Sequence, residues 1–152
     1  MQLNKFLILL LSLCIVACSS ASNTATVAEV EQVEQGQVAA QSDNSAVIQA
    51  YKNKKSDIFV EGSGVVKKLL ADDNKGSRHQ KFLVSVSAEQ TLLFAHNIDL
   101  APRIDTIQVG DSVQFRGEYV YNPKGGVVHW THKDPQGKIE GGWIQHNGQK
   151  YE

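Results

Sequence analysis

The sequence predicts a mainly β domain, a small closed antiparallel barrel with one short helix before it. Three observations indicate this fold class. From Asp57 onward, apolar and polar residues alternate with the period of a half-buried strand. Turn segments rich in glycine, asparagine and aspartate separate the alternating runs. The first run is long and contains Gly62 and Gly64, at which a strand can bend around a barrel.

The strands are expected in the following order along the chain. They cover residues 58–70, 82–86, 91–96, 113–121 and 127–132, and Asn147–Gly148 marks a hairpin within residues 141–151. The connection between the third and fourth strands is longer than the others. This order resembles the five-stranded oligonucleotide/oligosaccharide-binding (OB) barrel, and GDSVQFRGEY (residues 110–119) resembles its fourth strand. A small β-sandwich or an SH3-like barrel is the alternative.

A short helix is expected over residues 45–56, ahead of the barrel at residues 57–152. Val47, Ile48 and Tyr51 fall on one helical face. Either Asn44 or Ser45 suits the N-cap, because a short polar side chain can accept a bond from a free N–H group of the first turn.

The N-terminus has the features of a secretory signal with a lipid-attachment site. Lys5 precedes an apolar run at residues 6–16, which is shorter than the about 20 residues that a membrane-spanning helix needs. Ile15-Val16-Ala17-Cys18 then resembles the bacterial lipobox. The resemblance implies removal of residues 1–17 and attachment of acyl chains such as palmitate to Cys18. Several chains are needed because one alone binds a membrane only marginally.

Residues 18–44 are expected to be the lipidated cysteine and a flexible tether. The segment after Cys18 has no aromatic residue and no lysine or arginine, so it cannot bury enough apolar area to fold alone. Ser19 resembles the residue at this position in lipoproteins sorted to the outer membrane. The expected location is the bacterial cell envelope, lipid-anchored at the outer membrane and facing the periplasm.

Cysteine content and charge exclude several functions. The chain contains only Cys14 and Cys18, so the barrel has no disulfide, thiolate nucleophile or cysteine metal ligand. Residues 57–152 hold 11 Lys and Arg against 12 Asp and Glu. Nucleic acid is therefore not expected as a partner, since phosphate binding needs a basic excess.

Polar clusters near the predicted strand ends contain all five histidines of the chain. Loops from different strands converge at such ends, where binding residues are concentrated. The candidate ligand-binding residues are Arg78, His79, His96, Asn97, Asp99, His129, Thr131, His132 and Asp134.

Three of these residues, His79, His129 and His132, are also candidate ligands for zinc or another divalent metal. On a regular strand His129 and His132 point to opposite faces, so they share a metal only if the strand ends or bulges at Thr131. Asp99 or Asp134 would assist such a site. The same side chains equally suit turn caps and partners for buried backbone groups.

Four blocks carry a resemblance to a known family. GSRHQKF (76–82), HNIDLAPR (96–103), GDSVQFRGEY and GGVVHWTHKDP (125–135) resemble domain-of-unknown-function family 3465, whose mark is a His-Trp-Thr-His motif. The resemblance covers residues 59–151 and implies no activity. The family pattern has histidine where this chain has Lys133, and again near Ile139, which argues against a mechanism that needs histidine there. Trp130 of the motif is expected to lie in the core.

We therefore expect an envelope lipoprotein whose barrel binds a small molecule, a glycan or an envelope protein. The alternative is a metal-dependent hydrolase with a histidine-rich site, and a third hypothesis is a structural accessory of an envelope complex. The sequence leaves open whether the protein is an enzyme.

Overall fold

The computed structural model describes residues 43–152. The predicted signal, Cys18 and nearly all of the tether lie outside these residues. One helix and seven strands are described: α1 Ser45–Lys52, β1 Ile58–Leu69, β2 His79–Ser85, β3 Thr91–Asn97, β4 Ser112–Val120, β5 Val127–His129, β6 Trp143–His146 and β7 Gln149–Tyr151. The mainly β class with one short N-terminal helix is confirmed.

The long strand β1 closes the barrel by pairing with two partners. Its first part, from Ile58 to Val65, pairs with β4, and its last part, from Val65 to Leu69, pairs with β2. The order around the barrel is β1-β2-β3-β5-β4 and back to β1. The closed OB-like barrel is therefore confirmed, with the β6–β7 hairpin added beside β4. One junction, β3–β5, is parallel, whereas the other pairings are antiparallel.

The barrel interior is filled by alternate residues of the strands. Phe82 stacks on Phe94 with ring centroids 5.2 Å apart, and Phe94 meets Phe115 edge-on at 4.9 Å. The intervening residues of β2 and β3 point outward, so His79 and Asn97, which pair across these strands, lie on the outer face.

Helix α1 packs on the barrel through the buried residues Val47 and Ala50. Neither Asn44 nor Ser45 caps it with a side chain, contrary to the expectation. The Asn44 amide instead donates to the carbonyls of Ser63 (2.9 Å) and Val86 (2.8 Å) and accepts from the Ser63 N–H (2.8 Å). We call this part of the barrel, at Asn44, Ser63 and Val86, the helix end.

The helix is too short to cross a membrane, and within residues 43–152 no other helix is long and apolar enough to do so. Because Val86 directly follows β2 whereas His79 begins it, the two ends of β2 mark opposite ends of the barrel. The end at His79, Asn97 and His129 contains a pocket, and we call it the pocket end.

Candidate functional site

A pocket of about 440 Å³ opens at the pocket end. Its walls come from the start of β2, the end of β3 and the segment after β5, which are distant in sequence. The lining residues are His79, Asn97, Leu100, His129, Trp130, His132, Asp134, Pro135 and Gln136.

The His-Trp-Thr-His segment turns sharply at its tryptophan. Strand β5 ends at His129, and Trp130 has φ +51°, a left-handed conformation that is rare for a bulky residue. The chain therefore does not continue as a strand, and His132 reaches the same pocket as His129. The strand is thus interrupted between these two histidines, as a shared site would require, but at Trp130 and not at Thr131.

The expectation that Trp130 is a core residue is wrong. Its ring is only half-buried and stacks on the His132 ring, with centroids 5.7 Å apart, while Phe59 meets it edge-on at 6.4 Å. The strand alternation that would have directed Trp130 inward stops at His129. The indole Nε1 is buried without a hydrogen-bond partner among the described residues.

Asp134 shapes the loop that forms one wall. Its carboxylate accepts bonds from the N–H groups of Gln136 (3.1 Å), Lys138 (2.7 Å) and Ile139 (3.2 Å). These bonds hold the pKa of Asp134 below its usual value, and the bond from the Gln136 N–H has the largest effect. Glycine at 142 then closes the loop, because its N–H donates to the His132 carbonyl at 2.8 Å. Asp134 thus serves the loop as a turn residue as well as lining the pocket.

His96 and Thr131 lie behind the pocket, where both are fully buried and joined by a hydrogen bond. The His96 Nε2 is 3.0 Å from the Pro102 carbonyl, which can only accept, so Nε2 carries the hydrogen. The Nδ1 then accepts from the Thr131 hydroxyl at 2.8 Å. Burial, ahead of all other causes, lowers the pKa of His96, so the neutral imidazole is favoured.

Arg78 and Asp99 form an exposed ion pair at the surface. The Arg78 Nε is 2.7 Å from Asp99 Oδ1, and the Arg78 N–H donates to Oδ2 at 2.7 Å. The backbone bond, and then the guanidinium, lower the pKa of Asp99. Neither residue lines the pocket.

The structure therefore divides the nine predicted site residues into three groups. The pocket is lined by His79, Asn97, His129, His132 and Asp134; His96 and Thr131 support it from behind; Arg78 and Asp99 pair outside it. The fifth histidine, His146, lies elsewhere, buried and 2.7 Å from Asp111.

Four lining residues were missed by the sequence reasoning: Leu100, Trp130, Pro135 and Gln136. Pro135 and Gln136 directly follow Asp134 in a turn signal, so the loop could have been included as a whole. The position of Trp130 depends on a backbone conformation that its residue type does not favour, and no local pattern indicates it.

One pocket imidazole is held by a hydrogen bond, and a second lies beside a carboxylate. The His132 Nδ1 is 2.7 Å from the Lys133 carbonyl, and the His129 Nε2 is 3.3 Å from a carboxylate oxygen of Glu118. The His79 ring makes no hydrogen bond within residues 43–152. Over the same residues, no three His, Cys, Asp or Glu side chains are gathered as a metal site.

Comparison with known families finds one match, to a family of proteins of unknown function, DUF3465, over residues 30–152. The chain belongs to this family. The matched range includes the whole barrel, so the DUF3465 resemblance inferred from four sequence blocks is confirmed. No curated protein matches the chain. Because DUF3465 has no assigned activity, the function has to be argued from the pocket itself.

Proposed function

We propose that this DUF3465 protein is an envelope lipoprotein whose barrel binds a small polar ligand in the pocket at His79, His129 and His132. The observation that carries the proposal is the turn at Trp130. A bulky residue in the left-handed backbone conformation costs about 1–2 kcal/mol of folding free energy, and such strain is concentrated at functional sites. Here the turn brings His132 and Trp130 into one pocket with His129.

The size and lining of the pocket support small-molecule binding. Ligand pockets usually enclose roughly 300–1,000 Å³ and combine apolar walls with a few polar groups. This pocket, at about 440 Å³, has apolar walls from Leu100, Trp130 and Pro135. Its imidazoles and the Asn97 amide supply the polar groups, and among residues 43–152 no lysine or arginine lines it.

Hydrolysis that uses a carboxylate or a threonine of the site is not supported, because these side chains are already engaged. A carboxylate that acts as a general base must be free and within reach of the attacking water. Asp134 accepts three backbone bonds, and Asp99 is paired with Arg78. The Thr131 hydroxyl is buried and bonded to His96, so it is not placed to act as a nucleophile.

The envelope location rests on the N-terminal sequence. A basic residue, a short apolar run and the lipobox-like residues up to Cys18 support lipid anchoring at the outer membrane, facing the periplasm. We expect Cys18→Ser to abolish acylation, so that the protein is found soluble or unprocessed. A Cys18→Ser variant that still fractionates as a processed membrane protein would refute the anchor.

The two tryptophans of the chain provide a test of binding with an internal control. Trp130 lines the pocket, whereas Trp143 lies on β6 outside it. The protein is screened against mono- and disaccharides, amino acids and small carboxylic acids while both indole N–H resonances are followed by NMR. We expect a ligand to shift the Trp130 signal, leave that of Trp143 unchanged and bind less tightly to Asn97→Ala. Equal shifts of both signals, or none with any compound, would count against the pocket.

A further inference from the structure

We propose that lysines on the outer surface of the helix end dock the barrel on the anionic phospholipid headgroups of the membrane that anchors the chain. These lysines, which we call the lysine patch, are Lys52, Lys54, Lys55 and Lys124. The inference rests on the lipid anchor of the proposed function. It goes further because it gives the anchored barrel an orientation, in which the pocket opens away from the lipid.

The fold brings the lysine patch together from two parts of the chain. Its first three residues follow one another at the C-terminal end of α1, and the fourth, Lys124, lies in the β4–β5 turn. The Tyr51 hydroxyl of α1 donates to the carbonyl of Pro123 in that turn at 3.3 Å. The Tyr121 N–H donates to the Ser56 hydroxyl at 3.0 Å. Two hydrogen bonds therefore hold the turn beside the end of the helix.

The charges of the lysine patch are not neutralised within the barrel. All four lysines are exposed, and among residues 43–152 none has an ion-pair partner. The arginines of the same part of the chain are all paired with carboxylates, namely Arg78, Arg103 and Arg116. Asp57 and Glu89 are the acidic residues of the adjoining turns, so positive charge remains in excess. The helix dipole accounts only for Lys52, which lies in the last turn of α1.

Two tyrosines lie among these lysines. The rings of Tyr51 and Tyr121 are half-buried, with centroids 5.7 Å apart. Tyrosine combines an apolar ring with a polar hydroxyl and is enriched at membrane interfaces, where one end of the side chain is apolar and the other is wet. The patch therefore combines two kinds of side chain that bind at the level of the headgroups.

The lysine patch also lies where the chain from the anchor enters the barrel. The described chain begins just before Asn44, whose amide is bonded at the helix end. The Gln90 amide donates to the Gly125 carbonyl at 2.9 Å, which places the β4–β5 turn at this end as well. The 25 residues 19–43 separate Cys18 from Asn44 and span at most roughly 80–90 Å when fully extended. An anchored barrel thus stays close to the lipid, so that even a weak contact is effective.

Docking at this end would direct the pocket into the periplasm, because β2 runs from the pocket end to the helix end. A lysine close to an anionic membrane surface raises the affinity for it roughly 5-fold. Several acyl chains hold a protein on a membrane without such help. The expected effect of the lysine patch is therefore on the orientation of the barrel and not on its retention.

The experiment compares lysine reactivity in the acylated protein on vesicles of two compositions. One contains phosphatidylglycerol and phosphatidylethanolamine, and the other only phosphatidylcholine, which is neutral. Exposed amines are briefly acetylated and located by peptide mass spectrometry. We expect the lysine patch to react at least about 5-fold more slowly on the anionic vesicles, and equally on both at about 1 M salt. Lys75, before β2, and Lys138, in the Asp134 loop, are exposed near the pocket end and should react alike on both.

A matched pair of double variants separates docking from net charge. Lys54→Gln with Lys55→Gln should restore the reactivity of the two remaining lysines of the patch on anionic vesicles. Lys75→Gln with Lys138→Gln makes the same charge change near the pocket end and should leave the patch protected. Equal reactivity of the patch on the two kinds of vesicle, which an acidic protein partner would give, overturns the docking surface. Protection that survives in the first double variant overturns it too.

Mass spectrometry of the intact protein tests the anchor separately. If Cys18 carries acyl chains but the lysine patch is not protected, the anchor stands and only the docking surface falls. If Cys18 is unmodified, the anchor falls, and the docking surface that depends on it falls as well. Ligand binding in the pocket is tested by the Trp130 indole signal and is independent of both outcomes.

Discussion

The two ends of the barrel are built differently. At the helix end, the Asn44 amide uses its donor and its acceptor on backbone groups of Ser63 in β1 and of Val86 just after β2. The backbone at Gly64 also lies close to that of Ser85. At the pocket end, Trp130 is held in a left-handed conformation, and the His79 ring is without a hydrogen bond to any described residue.

This difference separates the residues that hold the fold from those available for function. Satisfied, close-packed groups stabilise the folded chain, whereas unused donors and acceptors in a pocket are available to a ligand. Substitutions at the helix end should therefore lower stability, and substitutions of pocket imidazoles should mainly change binding.

The largest loss of stability is expected from Gly64→Ala at the helix end. A Cβ at this position would lie 2.3 Å from the Ser85 carbonyl oxygen, which belongs to the paired strand β2 and cannot move aside alone. Overpacking of this kind costs about 3 kcal/mol of unfolding free energy. Urea denaturation followed by circular dichroism measures it.

Gly76→Ala is the matched control, because nothing lies within 4 Å of a Cβ at that exposed turn. Its φ of +70° favours glycine, so an alanine there is strained and a small loss of unfolding free energy is expected as well. A Gly64→Ala protein no less stable than Gly76→Ala would show that the helix end is not closely packed.

A smaller loss is expected from Asn44→Ala. The substitution removes three partly buried hydrogen bonds and leaves the Ser63 N–H and the Val86 carbonyl without their partner. The unfolding free energy should fall by about 2 kcal/mol. Asn53→Ala, at the exposed C-terminal end of α1, should change it much less, and equal effects would remove the special role given to Asn44.

Much of the fold could be predicted from the sequence because it depends on local patterns. Alternation located the strands, and the glycines of β1 indicated the bend that lets one strand pair with both β2 and β4. The role of Asn44 could not be predicted, because its partners are 19 and 42 residues away in the chain.

Part of the site could also be predicted from local patterns. Strand-end polar residues gave five of the lining side chains, including His79 and His132. Composition cannot show that Arg78 and Asp99 satisfy each other at the surface, or that His96 points inward. These outcomes depend on which face a residue occupies, which a shift of one residue in strand register reverses.

The smallest predicted effect is a pH dependence that arises behind the pocket. Burial lowers the pKa of His96 in the folded protein below its ordinary value of about 6.5. Above that value the ring is neutral in both states and contributes no pH dependence. Below it the unfolded chain binds a proton that the folded chain does not, so the unfolding free energy decreases as the pH falls toward the folded pKa.

His96→Gln tests this, because glutamine offers a donor for the Pro102 carbonyl and an acceptor for Thr131 but does not titrate. We expect the variant to lose less stability than the wild type between about pH 7 and 5, measured by urea denaturation across that range. If His96→Gln and the wild type lose stability equally, the buried imidazole is not the source, and the pocket end does not depend on a neutral ring behind it.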